Sequence, residues 1–228
     1  MSRMFRSISD TWNVFVGCRH DCTYCNARKA ALTRFRHIPR YRDGFTPRLI
    51  ESELRRRFKP GLFIFVAYMG DIAFATREEF LRILAKIREF PETNFLIQTK
   101  NPVQIFDWWH DWSIRLPDNV VFGTTIESNR NYNLTKAPPP VDRFRYLTGY
   151  PHPRKFLSIE PIMEFDLDTL VSWVRMLQPD IVEVGADNYH HHLPEPPWEK
   201  VEELLKRLRE ICPRVEEKER LERLKGGS

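Results

Sequence analysis

The chain of 228 residues has no stretch approaching the roughly 18 to 20 unbroken apolar residues of a transmembrane helix. Its opening, MSRMFRSISDTWN, lacks the apolar centre of a secretory signal. Together these absences lead to the expectation of a cytoplasmic protein with no membrane partner. No internal repeat is evident, and no low-complexity segment separates two domains. Cysteine is scarce, at four residues. In a reducing compartment that excludes a disulfide network, and thiols that cluster there are expected to bind metal or do redox chemistry.

What is present fits one folded unit. With 42% hydrophobic residues the chain is not disordered and can bury one substantial core. A single domain over residues 1–225 is expected, with its core at about 10–211, and 226–228 read as a flexible tail. The net charge of +5 is modest, but its distribution is uneven. From Arg28 to Arg57 there are ten Lys or Arg against Asp43, Glu51 and Glu53. Such a stretch either meets a phosphate-bearing partner or forms a solvated helix face.

Strand-like and helix-like patterns alternate along the chain. NVFVGC (13–18) is a short β-branched run, and TPRLIESELRRRF (46–58) has a Thr-Pro start and helical spacing. LFIFVAYM (62–69) precedes TREEFLRILAKIREF (76–90), where Thr76 and Glu79 form a capping box. NFLIQTK (94–100) precedes PVQIFDWWHDW (102–112), and NVVFGTTIE (119–127) precedes a weak helical stretch after Pro140. KFLSIEP (155–161) precedes LDTLVSWVRML (167–177), and DIVEVGA (180–186) precedes PWEKVEELLKRLREI (197–211). Six such units imply a parallel sheet covered by helices, either doubly wound or curled into a barrel. In both, ligands bind at the C-terminal edge of the strands. Polar residues concentrate there: Cys18, Gly70 with Asp71, Lys100, Thr125 with Glu127, Glu160, and Asp187 with Asn188. A carboxylate at the end of an apolar strand is costly to bury without a partner, so this rim points to a ligand.

Cys18, Cys22 and Cys25 fall within eight residues, and the fourth cysteine, Cys212, lies in the last helical pattern, where it reads as a small buried hydrophobe. Zinc sites usually need four ligands, and His20 would supply the fourth. That leaves a zinc- or iron–sulfur-containing nucleic-acid-binding module, without radical chemistry, as one reading.

The spacing C-x3-C-x2-C, with Tyr24 just before the last cysteine, resembles the signature of the radical S-adenosylmethionine (SAM) superfamily. TWNVFVGC, FLIQTKNP, NVVFGTTIE, FLSIEPI and VEVGADN are similar, in order and spacing, to the strands of a phage-encoded and prokaryotic branch of unassigned substrate. A looser similarity runs to DNA-repair members, spore photoproduct lyase among them. The resemblance implies an α/β fold, a partial (βα)6 TIM-like barrel. It implies that Cys18, Cys22 and Cys25 hold a 4Fe-4S cluster whose fourth iron is left for SAM. One-electron reduction, from a donor such as flavodoxin or ferredoxin, then gives a 5′-deoxyadenosyl radical that abstracts hydrogen from substrate.

Cofactor contacts carried over by the resemblance are Gly70 and Asp71 for the methionine amino group and Lys100 for its carboxylate. Thr125, Glu127, Ser158 and Glu160 would meet ribose hydroxyls or the amino group, and Tyr24 with Gly185, Asp187 and Asn188 the adenine end. The family's glycine motif is incomplete at Tyr68-Met69-Gly70-Asp71, which also reads as a tight turn capped by Asp71, and leaves open a barrel that binds SAM without radical chemistry. His190, His191 and His192 suggest a second metal, but chain neighbours point apart; a substrate-facing loop is the other reading. Trp108, Trp109 and Trp112 read as helix-to-sheet packing or as base-stacking rings. Nucleic acid or a nucleotide is the leading substrate candidate, met through the basic stretch 28–57.

Overall fold

The computed structural model describes residues 6–226; residues 1–5, and 227–228 of the expected tail, lie outside the described residues. The first half makes β1 (Asp10–Trp12), β2 (Phe15–Val16), α1 (Asn26–Leu32), β3 (Arg48–Leu49), β4 (Phe63–Val66), α2 (Arg77–Arg88), β5 (Asn94–Gln98) and α3 (Pro102–Trp112). The second makes β6 (Val120–Thr125), α4 (Pro140–Gly149), β7 (Lys155–Ile159), α5 (Leu167–Leu177), β8 (Ile181–Val184), α6 (Trp198–Ile211) and β9 (Arg214–Glu217).

Seven of these strands form one parallel sheet in the order β1, β4, β5, β6, β7, β8, β9. Each strand's neighbour in space is the next sheet strand in sequence. The winding therefore never reverses, as it does in a doubly wound sheet, and right-handed crossovers curl the sheet into a partial TIM-like barrel. The α/β class is as expected.

Alternation along the strands sorts the core into two layers. Ile64, Val66, Phe95, Ile97, Val120, Phe122, Leu157, Ile159, Val182 and Val184 pack with the helices. Phe65, Leu96, Val121, Phe156 and Ile181 face the barrel interior, where Ile8 joins them. The segment before β1 is tied across that interior, because Glu183 on β8 accepts from the backbone N–H of Arg6 and Ser7, both at 3.1 Å. Thr76 caps α2 as the sequence suggests: its hydroxyl accepts from Glu79 N (3.2 Å) and its N–H donates to the Glu79 carboxylate (2.7 Å). Cys212 caps α6, buried, with its Sγ 3.2 Å from Pro179 O. Among the described residues no helix is long and apolar enough to cross a membrane.

Three elements differ from expectation. The first barrel strand is Asp10–Trp12, not NVFVGC: Trp12 O accepts from Ala67 N, and then Asn13 Oδ1 takes Met69 N, a side chain standing in for the ladder. The chain leaves the edge there, Phe15 and Val16 pair antiparallel with Leu49 and Arg48, and Gly17 returns in an isolated parallel bridge to Gly70. That pairing also removes the helix expected over 46–58. Ile50 N donates to Val14 O at 2.7 Å, so only a 3-10 turn at Glu51–Arg55 remains, tertiary pairing overriding the local pattern. Finally, β9 adds a strand beyond the six units, from the mixed-charge end of the sequence.

Candidate functional site

Two glycines root the cysteine loop at the C-terminal rim. Gly17 has φ +85°, and a Cβ there would stand 2.3 Å from Thr46 O. At Gly70 a Cβ would stand 2.9 Å from Gly17 O. Neither position admits a side chain, so β1 and β4 can release the loop from one point. All three loop cysteines are free thiols, with Cys22 buried and Cys18 and Cys25 half-buried. Backbone N–H groups donate to two of the sulfurs, His20 N to Cys18 (3.4 Å) and Arg28 N to Cys25 (3.3 Å), the latter as the cap of α1. Burial pushes the Cys18 thiol pKa up, with the Asp71 charge adding to it, and burial does the same to Cys25. Cys22 and Cys25 add to the rise at Cys18, and Cys22 adds to the rise at Cys25. Three soft donors beside a cavity, two of them held by N–H groups, suit an iron–sulfur cluster.

Asp71 is the loop's anchor. Its carboxylate accepts from Thr99 Oγ1 (2.5 Å), Lys100 N (2.9 Å) and Ala73 N (3.0 Å), and stands 3.1 Å from His20 Nε2. Burial works against its charge, but His20, Thr99 and the Lys100 N–H hold its pKa below the usual carboxylate range. Gly70 and Asp71 thus build a close approach and a capped turn, and neither lines the cavity. Cys18, His20 and Asp71 place their donor atoms within 4.8 Å of one another.

A second buried network fixes Tyr24. Its hydroxyl donates to Glu127 Oε1 (2.6 Å), and Lys100 Nζ donates to the Tyr24 oxygen (2.7 Å) and to Glu127. The other Glu127 oxygen accepts from Arg143 (2.9 Å), which also donates to Thr125 O (2.7 Å) and Pro138 O (2.8 Å). Burial alone would raise Glu127, yet Arg143 and Lys100 outweigh it and bring its pKa to about 2. Burial likewise disfavours the Lys100 ammonium, and Glu127 with Tyr24 reverses that. Glu127 is therefore the hub of a network rather than a free carboxylate on the rim.

Between the cysteine loop and the ends of β4 to β9 lies a cavity of about 430 Å³. Cys22, Tyr24 and Cys25 form one wall; Lys100, Thr125, Ser158 and Glu160 come from the strand ends; Asp187 and Asn188 follow β8. The structure thus brings together most of the residues expected to meet a ligand. Gly185 stands behind the wall: a Cβ there would lie 2.8 Å from Glu160 Oε1, so the glycine makes room for that carboxylate. Tyr68, from the glycine-motif segment after β4, joins the wall, and the part not expected from the sequence is Lys218, Glu219 and Arg220 of the segment after β9, with Lys218 paired to Glu160. The segment is strapped down by Arg223, which donates to Asp187 O (2.8 Å) and to Glu195 (2.5 Å).

Of the three histidines, His191 alone lines the cavity, its Nδ1 2.7 Å from Asp187 Oδ1. His190 and His192 both adopt positive φ, and the three belong to no metal-binding group among the described residues. Trp108 is buried on Phe80 at 4.8 Å between centroids, while Trp112 is exposed under Arg77. Within the basic stretch, Arg28, Arg40, Arg48 and Arg56 are paired with Asp21, Glu53, Asp43 and Asp10. Ala30, Phe35 and Ile38 of that stretch pack with Val16, Ala31, Tyr41 and Met69.

A family model described as "Protein of unknown function (DUF5131)" matches residues 5–203. No curated protein matches the sequence. Among solved structures, a cysteine-to-alanine variant of spore photoproduct lyase superposes with a TM-score of 0.59 at 12% identity, over 90% of this chain and 75% of that one. A tyrosine-to-phenylalanine variant gives 0.58 at 11% identity with the same coverage. A cysteine-to-alanine variant with dinucleoside spore photoproduct gives 0.53 at 12%, over 88% of this chain and 61% of that one. This chain thus spans less than two thirds of the last protein's length, and at such identity the likeness is one of fold: the same curled partial barrel.

Proposed function

Because this chain belongs to the DUF5131 family, whose description assigns no activity, the site itself must carry the reading, and we propose that it is a radical SAM enzyme. The observation that carries the proposal is the loop of three free cysteines opening on a cavity lined by Cys22, Cys25 and Lys100. Cys18, Cys22 and Cys25 would hold a 4Fe-4S cluster, with SAM in the adjacent cavity, whose volume lies in the range of small-molecule sites. When bound, that pair supplies a one-electron cleavage of SAM and hence a carbon radical able to abstract hydrogen.

The chain's own residues do the rest. The Asp71 anchor holds the loop against β4, and the Glu127 network fixes Tyr24 as a rigid wall and keeps Lys100 cationic beside the cavity. Thr125, Ser158, Asp187 and Asn188 offer polar groups to a ribose or amine, and Lys218–Arg220 complete the wall. A nucleic acid or nucleotide is the proposed substrate. Arg220 stands at the cavity with Lys100, so two cations line it. One fold neighbour holds a dinucleoside photoproduct, which makes DNA the first substrate to test. The reductant would be a flavodoxin or ferredoxin.

The test is anaerobic reconstitution with iron and sulfide, then dithionite and SAM. Four irons and four sulfides per chain with formation of 5′-deoxyadenosine are expected, both lost in Cys22→Ala. A wild-type chain that builds no cluster overturns the proposal. A second reading has one observation behind it: the Cys18, His20 and Asp71 donor group suits zinc in a nucleic-acid-binding module. Stoichiometric zinc without iron or sulfide after anaerobic purification would favour it.

A further inference from the structure

The cysteine loop is covered from outside by the chain between β6 and α4. Leu134 O accepts from Thr23 N (3.0 Å), Lys136 N donates to His20 O (2.6 Å), and Lys136 Nζ pairs with Asp21 (3.0 Å). At the centre of this brace, Thr135 Oγ1 lies 3.1 Å from Cys22 Sγ and 3.1 Å from His20 O, and accepts from Ala137 N at 3.1 Å.

The protons around Thr135 can be counted. In the metal-free chain the Cys22 thiol donates to Thr135 Oγ1, and the threonine's single proton goes to His20 O. A metal-bound cysteine is a thiolate and has no proton to give. Unless the hydroxyl turns, a lone pair would then face a sulfur lone pair at 3.1 Å. Turning it leaves nothing unpaired, because His20 O keeps Lys136 N–H as its donor at 2.6 Å. The Ala137 N–H, still donating to the same oxygen, polarises the hydroxyl toward the sulfur.

On the reading of the loop as a cluster site, we infer that Thr135 is a positioning residue whose hydroxyl donates to the Cys22 sulfur and raises the reduction potential of the cluster. Electron density on the sulfur rises when one electron is added, so a donor there favours the reduced form. The effect sits on the ligand sulfur and involves no bond made or broken.

The experiment compares the reconstituted wild type, Thr135→Val and Thr135→Ser in a dithionite-poised redox titration read by electron paramagnetic resonance of the reduced cluster. Valine keeps the shape and removes the donor, and serine keeps the donor. The midpoint of Thr135→Val is expected to move negative, up to about a tenfold change in the reduction equilibrium, ~59 mV for one electron. Thr135→Ser should remain near wild type. Unchanged midpoints in a cluster-loaded Val variant overturn the inference, as does a Ser variant that shifts as far as Val. If only the Val chain fails to hold its cluster, the hydroxyl acts in assembly and the tuning role is refuted. Failure of the wild type itself to build a cluster refutes the cluster reading instead, so the two failures are distinct.

Discussion

Replacing Glu127 by Gln probes the network that fixes Tyr24. Glu127 is the acid between two cations, the buried Arg143 and Lys100, whose side chain is 17% exposed, and its own side chain is 2% exposed. The amide keeps the volume and one acceptor but strands two positive charges. Removing one partner of a buried ion pair costs about 3–5 kcal/mol. For a chain of this size each kcal/mol is worth roughly 2–4 °C, so the midpoint of thermal unfolding should fall by about 6–20 °C. The assay is anaerobic unfolding of the metal-free chain followed by tryptophan fluorescence. Adding Arg143→Met to the Gln variant removes one stranded charge, so the double variant should be more stable than the sum of the singles by about 1–3 kcal/mol. The acid limb supplies a second readout. With its folded pKa near 2, below an unfolded value of about 4.3, Glu127 contributes stability that is present above the unfolded value and lost as pH falls through about 2. The Gln variant should lack that part of the limb. A single variant within about 0.5 kcal/mol of wild type, with an unchanged acid limb, would falsify the account of the network.

Other outcomes follow from the loop. Gly17→Ala sets a methyl 2.3 Å from Thr46 O at φ +85°, so it should destabilise the chain by about 2–5 kcal/mol, the sum of overpacking and left-handed strain, and speed alkylation of the cysteines. Asp71→Asn turns an amide donor toward the backbone N–H of either Lys100 or Ala73, neither of which can accept; a loss of about 1–3 kcal/mol in urea unfolding is expected, with faster alkylation of Cys18. Cys212→Ala, distant from the loop, should cost only about 1 kcal/mol and leave iron and sulfide loading unchanged.

Elements whose signal was local were legible in the sequence. Helices α3 and α5 carry regular apolar stripes and occupy the expected residues, and the Thr76 capping box is formed as written. Where pairing is tertiary, pattern misleads: Leu49, Ile50 and Leu54 have helical spacing, yet the backbone of 48–50 is claimed by residues 14–16. Most rim residues could be placed because parallel strands all end on one side. Arg143 could not, although it left a trace. It occupies a position on the buried stripe of α4 with Phe144 and Leu147, where a cation requires a buried acid, and Glu127 at the end of β6 is that acid. The wall after β9 left no such mark, since Lys218, Glu219 and Arg220 lie in a run of mixed charge that looks solvated.

The two opposing walls of the cavity hang from the two extreme strands of the sheet. The cysteine loop follows β1, Lys218–Arg220 follow β9, and among the described residues these strands pair only with their inner neighbours. The width of the site is therefore an accumulated angle, the sum of small rotations between successive strands, in the way the gap of a caliper depends on its hinge. Residues that never approach a ligand can set it. Gly123 is one: a methyl there would press within 2.8 Å of Phe156 O and prise β6 from β7. Selection on the dimensions of this cavity would act as much through the middle of the sheet as through its rim.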